Sequence, residues 1–386
     1  MNNFKQRFLT KKTAVTAVVF LYWMGLYMYA STLPVYVKSI VGDLALVGTV
    51  LSMYGLWQMI VRLPIGILSD WLGRRKPNVL FGLVIVAAGA WGLGQAQDVG
   101  GLVFTRAMVG IGAGTWVPLL VLFNNLYKPE EAFRATGLIT LVGTLARMLS
   151  TGVNGPLNIA TGSYQTAFDL AALAAIIAIG IMIFIPEQRQ PSKPPQFRRL
   201  LRLFKRPDVI GPAILNLILH YGDWASTFGF IPILARQFGA SDVVISTVTS
   251  ANLGVVFLGN VLVTWLGTRL RYKTMLLVSF LLVAAGLGTA SLAPSLALVI
   301  VGQLLIGTGF GIAYPVLLAA CIRYVDNGER TTTMGLNQAV YAAGMFAGPW
   351  MGGIISDAIG VQPMFGITAV VILIAGVAGT RILREK

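Results

Sequence analysis

Residues Gly110-Ile111-Gly112-Ala113-Gly114-Thr115-Trp116-Val117-Pro118 have a counterpart 197 residues later, Gly307-Thr308-Gly309-Phe310-Gly311-Ile312-Ala313-Tyr314-Pro315. Three alternating glycines and a proline recur at identical spacing. Other pairs fall in the same order: Pro34 with Pro232, Trp71-Leu72-Gly73 with Trp265-Leu266-Gly267, Gly137 with Gly335, Gly155 with Gly353, and Gly162 with Gly360, at offsets of 194 to 198. In a chain with 44 glycines one pair carries nothing, but a collinear series marks a duplication. Duplicated halves are the architecture of many secondary transporters, with the site between them at mid-membrane. Most of these glycines are read as packing positions that let membrane helices approach closely. Two halves that rock against each other need the same smooth surfaces.

The rest of the chain fits that reading. Of its 386 residues, 56% are hydrophobic and 11% charged. A soluble chain carries about 25% charged residues, so lipid is the solvent that the long apolar runs require. A spanning helix needs about 20 apolar residues. Candidate spans are 13–37, 45–68, 79–96, 101–124, 136–160, 167–186, 209–235, 243–266, 274–293, 296–321, 333–356 and 363–383. Helices are the expected form, because lipid offers no partner for an open backbone, and no short alternating segments of a β-barrel occur. The expected fold is an all-α membrane protein of twelve transmembrane helices in two pseudo-symmetric six-helix bundles, residues 1–186 and 209–386. A cytoplasmic basic linker, 187–208, joins them. Its prolines stop the sixth span, and 197–206 alternates apolar and basic residues as a short helix on anionic headgroups does.

The net charge is +15. Nucleic-acid binding is the alternative, and the placement of charge decides against it. Of 29 Lys and Arg, 24 lie in the tails and alternate loops of one side, two (Lys38 and Arg236) on the other, and three (Arg62, Arg106, Arg147) inside spans. This is the positive-inside pattern, which puts both termini in the cytoplasm and leaves no nucleic-acid partner. Basic residues in 5–12 ahead of an apolar run resemble a signal peptide, but the run is too long and lacks a small-residue cleavage site. The single Cys321 excludes an internal disulfide and a metal cluster. No nucleotide-binding glycine loop or catalytic constellation occurs, so neither enzyme chemistry nor a cofactor is expected. Short loops and the absence of glycosylation sites fit a bacterial cytoplasmic membrane; the expected partners are membrane lipids, and the expected state is a monomer.

Gly66-Ile67-Leu68-Ser69-Asp70-Trp71-Leu72-Gly73-Arg74-Arg75-Lys76 closes the second span. It resembles the signature loop of the major facilitator superfamily, at the place where that family carries it. Gly73 permits the sharp turn, and Asp70 is set to pair with Arg74 or Arg75 or to face a helix N-terminus. The resemblance implies a latch of Gly66, Asp70, Gly73, Arg74 and Arg75 that holds the cytoplasmic side shut, with Asp70 facing 331–333. A merely topogenic basic loop explains the arginines but not Asp70. In the second half Thr264 stands in place of Asp70. Arg106, a turn before Gly110, resembles an arginine of the family's second motif that is linked to proton movement. Gly344, Gly348, Pro349, Gly352 and Gly353 resemble the glycine–proline motif of the drug and metabolite antiporters, which that group carries in the fifth span. There this chain has only a degenerate version.

An ionisable group at mid-membrane is costly and usually functional. Asp223 is the one acid deep in a span. His220 lies three residues earlier on nearly the same face, with Asn216 and Trp224 extending it. Asp223 and His220 are the proton-coupling candidates beside Arg106; a structural polar clasp is the alternative. Arg147 is expected to pair with Asp223 or to attract an anionic group. Arg62 is expected near a span end, where its side chain reaches water. Tyr22, Trp116, Arg147, Asn216, Asn337, Gln338 and Tyr341 are the cavity candidates, since aromatics beside amides line amphipathic pockets. The expected function is proton-coupled export of a small organic solute. The rivals are an importer or exchanger of an anionic metabolite, a lipid or glycolipid flippase, and a non-transporting receptor.

Overall fold

The computed structural model describes residues 2–128, 131–189, 202–266, 270–326 and 329–382. Among them the chain is helical and runs as twelve spans. In the first half these are α1 (Asn2–Tyr27, then Leu33–Val41), α2 (Leu44–Leu72), α3 (Lys76–Gln95), α4 (Val99–Ala113, then Trp116–Asn124), α5 (Ala132–Thr161) and α6 (Gln165–Ile183). In the second half they are α7 (Pro207–Ala225, Ser226–Phe230, Ile231–Gln237), α8 (Asp242–Leu266), α9 (Tyr272–Ser291), α10 (Leu296–Ile322), α11 (Arg330–Ile359) and α12 (Val361–Ile382). The expected count therefore holds. The linker residues 190–201 lie outside the described residues.

Nine of these segments are long and apolar enough to cross a membrane on length and composition alone. The other three, α1, α7 and α11, each carry buried polar groups: Ser31 and Thr32; Asn216, His220 and Asp223; Asn337 and Gln338. Large apolar side chains that water would not tolerate are exposed around the periphery, among them Trp91 on α3, Ile176 on α6 and Ile374 on α12 (62%). These faces meet lipid.

The helices start and stop for local reasons. Asp43 caps α2 by accepting from the Leu46 N–H at 3.0 Å, and Asp98 caps α4 by accepting from the Gly101 N–H at 2.8 Å. Gly73 ends α2 with φ 62° and Gly162 ends α5 with φ 64°, a left-handed backbone open to glycine. Glu187, just past α6, accepts from the N–H groups of Arg75 (2.7 Å) and Lys76 (3.0 Å). Lys76 Nζ in return donates to the carbonyls of Ile183 and Ile185, each at 2.8 Å. Start of α3 and end of α6 thus exchange an acid for free N–H groups and a cation for free carbonyls. At the other end of the linker, Arg206 pairs with Asp208 at 2.6 Å and donates to the Tyr324 carbonyl, while Leu203 packs on Val209, Val325 and Leu336. The expected headgroup helix is thereby corrected in part: residue 203 faces protein.

The repeat is visible atom by atom. A Cβ on Gly112 would strike the Gly82 carbonyl and Val86; on Gly309 it would strike the Ser279 carbonyl and Val283. The struck residues are themselves 197 apart, so α4 sits on α3 as α10 sits on α9. Gly89 against Val109 is matched by Gly286 against Ile306. Pro34 and Pro232 also acquire a shared meaning. Each begins the second piece of an interrupted helix, after a turn at 28–32 in α1 and after the π-helical Ser226–Phe230 in α7.

The halves meet along two symmetry-matched seams, α2 with α11 and α5 with α8. A Cβ on Gly48 would collide with the Pro349 carbonyl and the Gly353 backbone; one on Gly155 would collide with the Asp242 carbonyl and Ser246. Further along the same helices, towards the end where α1 begins and α12 finishes, a Cβ on Gly66, Gly137 or Gly335 would meet no atom of the described residues within 4 Å. The seams are zipped at the far end and parted at this basic end. A polar clasp reinforces the zipped end. Asp242 is ion-paired with Arg236 and accepts from Asn158 Nδ2 at 2.9 Å. Asn158 donates to Thr32 Oγ1 at 3.2 Å, and Asn154 Oδ1 accepts from Ser31 and Thr32 hydroxyls, each at 2.7 Å. On the matching seam the Leu44 N–H donates to Asp357 Oδ1 at 3.2 Å.

Gly48→Val and Gly155→Val drive a side chain into backbone that cannot yield. Each should cost about 1–3 kcal/mol and lower the melting temperature of the detergent-solubilised protein, whereas Gly137→Val should leave it unchanged. Asp242→Ala should loosen the clasp. With buried Cys321 replaced by Ser, a Thr32→Cys reporter should then react several-fold faster with a thiol reagent reaching it from the far end.

Candidate functional site

The parted seams lead from the basic end to a cluster of buried polar and aromatic groups between the halves. Nearest that end is Arg62 of α2. Its side chain is 6% exposed and does not reach outward to water, which corrects the sequence-based expectation. It donates from Nη1 to the Gln338 carbonyl across the seam at 3.3 Å and from Nη2 to Gln58 Oε1 on its own helix. The guanidinium lies 5.2 Å from the centroid of Tyr341. Tyr341 stacks on His220 at 4.1 Å with a 9° tilt, and Phe310 and Tyr314 meet the imidazole edge-on at 5.0 and 5.6 Å. His220 Nδ1 bonds the Asn216 carbonyl at 2.9 Å. That acceptor puts the proton of a neutral imidazole on Nδ1. Asn216 Nδ2 donates to Asn337 Oδ1 at 3.2 Å, joining α7 to α11.

Beside this cluster stands an aromatic stack of the first half. Tyr22 is fully buried, and its hydroxyl donates to the carbonyls of Ala113 (2.9 Å) and Gly112 (3.2 Å), where α4 is interrupted. Its hydrogen-bonding capacity is thus used on protein. Trp116 stacks on Tyr22 at 6.0 Å and meets Trp23 at 4.8 Å. Arg147 of α5 covers Trp23 at 4.8 Å and Tyr27 at 5.8 Å, and donates to the Gly143 carbonyl and to Thr144 Oγ1. One face of its guanidinium is therefore committed to rings.

A layer of rings closes the cluster towards the far end. Tyr54 of α2 stacks on Trp224 of α7 at 5.1 Å, and Tyr27 of α1 meets Phe228 at 5.6 Å. Asp223 lies in this layer, 6% exposed, and its Oδ1 accepts from Thr227 Oγ1 at 2.9 Å. It interacts electrostatically with Arg147 but forms no ion pair with it. Among the described residues the ion pairs are Arg75–Asp70, Arg206–Asp208 and Arg236–Asp242. Nor do His220 and Asp223 bond each other; one turns to Tyr341, the other to Thr227. The π-helical turn follows directly, and such a bulge re-aims the side chains around it. Arg106 is 5% exposed and lies 4.5 Å from the Tyr54 centroid; its Nε and Nη1 have no partner.

At the basic end Asp70 is 57% exposed and bound by Arg75 at 2.7 Å, within its own loop rather than across the seam. The glycine–proline residues of α11 divide between two neighbours. Gly344 and Gly348 fit against Leu217 and Tyr221 of α7, Gly353 and the Pro349 carbonyl face Gly48 of α2, and Gly352 faces Phe230.

Sequence reasoning named most members of the cluster but not its centre. Gln58, Arg62, Phe228 and Phe310 join it, and Asn154, Asn158 and Asp242 form the clasp. The amides at 154 and 158, four apart in an apolar helix, were a usable signal. Arg62 was visible only as a charge, because its partner is a backbone carbonyl of another helix.

A family model for the Major Facilitator Superfamily matches residues 15–220 and again 213–386. An uncharacterized transporter of Buchnera aphidicola subsp. Schizaphis graminum is 29% identical over 191 residues, 48% of this chain and 47% of that protein. Inner membrane transport protein YajR of Escherichia coli is 27% identical over 163 residues, 42% of this chain and 35% of that protein. The match thus spans half or less of these two relatives. Quinolone resistance protein NorA of Staphylococcus aureus (strain MRSA252) is 24% identical over 362 residues, 88% of each chain. The crystal structure of the nucleoside transporter NupG superposes with a TM-score of 0.79 at 17% identity, over 97% of this chain and all of that one. A bacterial homolog of the lysosomal transporter Spinster, in an inward-facing conformation, superposes at 0.78 and 15% identity, over 97% of each chain. With a family model that matches each half in turn and a twelve-span helical fold, the chain belongs to the Major Facilitator Superfamily.

Proposed function

We propose that the protein exports a small organic molecule in exchange for protons, by alternating access to the cluster between its halves. The observation that carries the coupling is Asp223: it is the deepest acid among the described spans, buried in the ring layer where the two halves touch. A carboxylate there is costly, so its protonation state weighs on how the halves pack. Neutral, it sits comfortably under Trp224 and Phe228; charged, it favours separation of that layer and entry of water. Arg147, which senses the same charge, links the event to α5 and so to the second seam.

Orientation follows from the basic loops. With both termini in the cytoplasm, the open end faces the cytoplasm and the glycine seams close the outside. Export then begins from this state. In the opposite state Asp70 would leave Arg75 for the start of α11, and the loop Gly66, Asp70, Gly73, Arg74, Arg75 would hold the cytoplasmic end. The likeness to NorA, whose name states quinolone resistance, favours an organic solute and outward movement.

The test uses purified protein in proteoliposomes with an organic-solute panel and a trapped pH dye. Solute flux should drive protons the opposite way in the wild type. Asp223→Asn should retain solute exchange, lose the proton signal and lose its pH dependence. An unchanged pH dependence in that variant would exclude Asp223 as the coupling group.

A further inference from the structure

We infer that the transported solute carries an anionic group, a carboxylate or phosphate, received by Arg62. This rests on the reading of the central cluster as the transport site. Arg62 is buried to more than nine-tenths, and the partners of its guanidinium are neutral: the Gln338 carbonyl and Gln58 Oε1. Its Nε has no partner. Among the described residues the groups facing it are Gln58 and Tyr54 from α2, Tyr22 from α1, His220 from α7, Tyr314 from α10, and Gln338 and Tyr341 from α11, and none of these is a carboxylate. The one deep acid, Asp223, is bound by Thr227.

A buried cation without a carboxylate is strongly disfavoured unless something compensates. If Arg62 served only to tie α2 to the Gln338 carbonyl, a neutral amide would make the same bond at lower cost. The missing counter-charge is supplied by what enters. The planar fork of arginine matches carboxylate and phosphate oxygens. The two residues that bond Arg62 each carry an unpartnered amide atom, Gln58 Nε2 and Gln338 Oε1, and both residues are more than nine-tenths buried. One donates and one accepts, so they suit an anion that also bears a hydroxyl or amine. Tyr341, backed by His220, walls one side of the guanidinium and gives the anion an aromatic neighbour. Arg106 and Arg147 add positive charge to the same interface, so a cationic solute meets repulsion along the path.

The test is binding of benzoate and phenyl phosphate to the intact protein in phosphatidylcholine nanodiscs, read by thermal stabilisation, with benzamide and benzamidinium as neutral and cationic controls. At least one anion should bind about tenfold or more tighter than either control, the loss expected when a charge-assisted bond is removed. Arg62→Gln should abolish that preference and Arg62→Lys should keep part of it. Equal or tighter binding of the controls, absence of binding by both anions, or an unchanged preference in Arg62→Gln would overturn the inference. Phosphatidylglycerol in the disc should not displace the bound anion; displacement would give the site to a lipid headgroup instead. Anion binding that survives in Asp223→Asn, together with lost coupling, separates this inference from the proton assignment.

Discussion

Backbone meets backbone where Gly48 of α2 lies against Gly353 and the Pro349 carbonyl of α11, and again where Gly155 of α5 lies against α8. In lipid no hydrophobic force drives helices together, so such seams depend on close van der Waals contact, and only residues without bulk permit it. Everything else is arranged around these contacts. They shut the far end, they fix how near α7 and α11 come to α2, and they leave the same helices free to diverge towards Gly66, Gly137 and Gly335. The seams are equivalent by the repeat, so the halves separate at one end without losing register at the other. Polar groups reinforce the closed end but do not create it. Asp242 and Asp357 each finish one seam.

The duplication explains the frame, and the differences between its copies locate the chemistry. Tyr22 and His220 stand 198 residues apart, the same offset as Pro34 and Pro232. In the first half the hydroxyl of Tyr22 is tied to the broken turn of α4. In the second half His220 stacks on Tyr341, and the uninterrupted α10 meets it with the rings of Phe310 and Tyr314 rather than with a free carbonyl. Gly25 similarly answers to Asp223: one packs on Ala171 and Val86, while the other puts a carboxyl at the interface. At matching positions one copy is tied into its own half and the other brings polar groups to the interface.

Much of the fold was legible because lipid dictates segment length and composition. The three spans that fall short of membrane length and apolarity, α1, α7 and α11, each carry buried polar groups at the interface, and α2, α4 and α5 add Arg62, Arg106 and Asn154 within fully apolar spans. What the sequence concealed was the direction of side chains. His220 and Asp223 share a helical face by spacing, but stacking on Tyr341 draws one away and Thr227 holds the other. Tyr22 had the composition of a cavity wall, and a partner in α4 made it structural. Arg62 looked like a residue near a span end; its burial depends on a carbonyl of α11 that no local pattern reports. The π-helical turn of α7 was likewise hidden, although the Pro34–Pro232 pair marked where both helices break.

Rocking of the halves about the glycine seams is measured most directly by electron–electron distance spectroscopy on two label pairs in a Cys321→Ser background. One pair, Gln97→Cys with Ser295→Cys, reports the far end; the other, Lys128→Cys with Asp326→Cys, reports the basic end, and all four positions are exposed. On passing between acidic and alkaline buffer, one distance should lengthen while the other shortens, and Asp223→Asn should hold both still. Distances that change together, or change in one pair only, would contradict rigid halves turning about a shared seam.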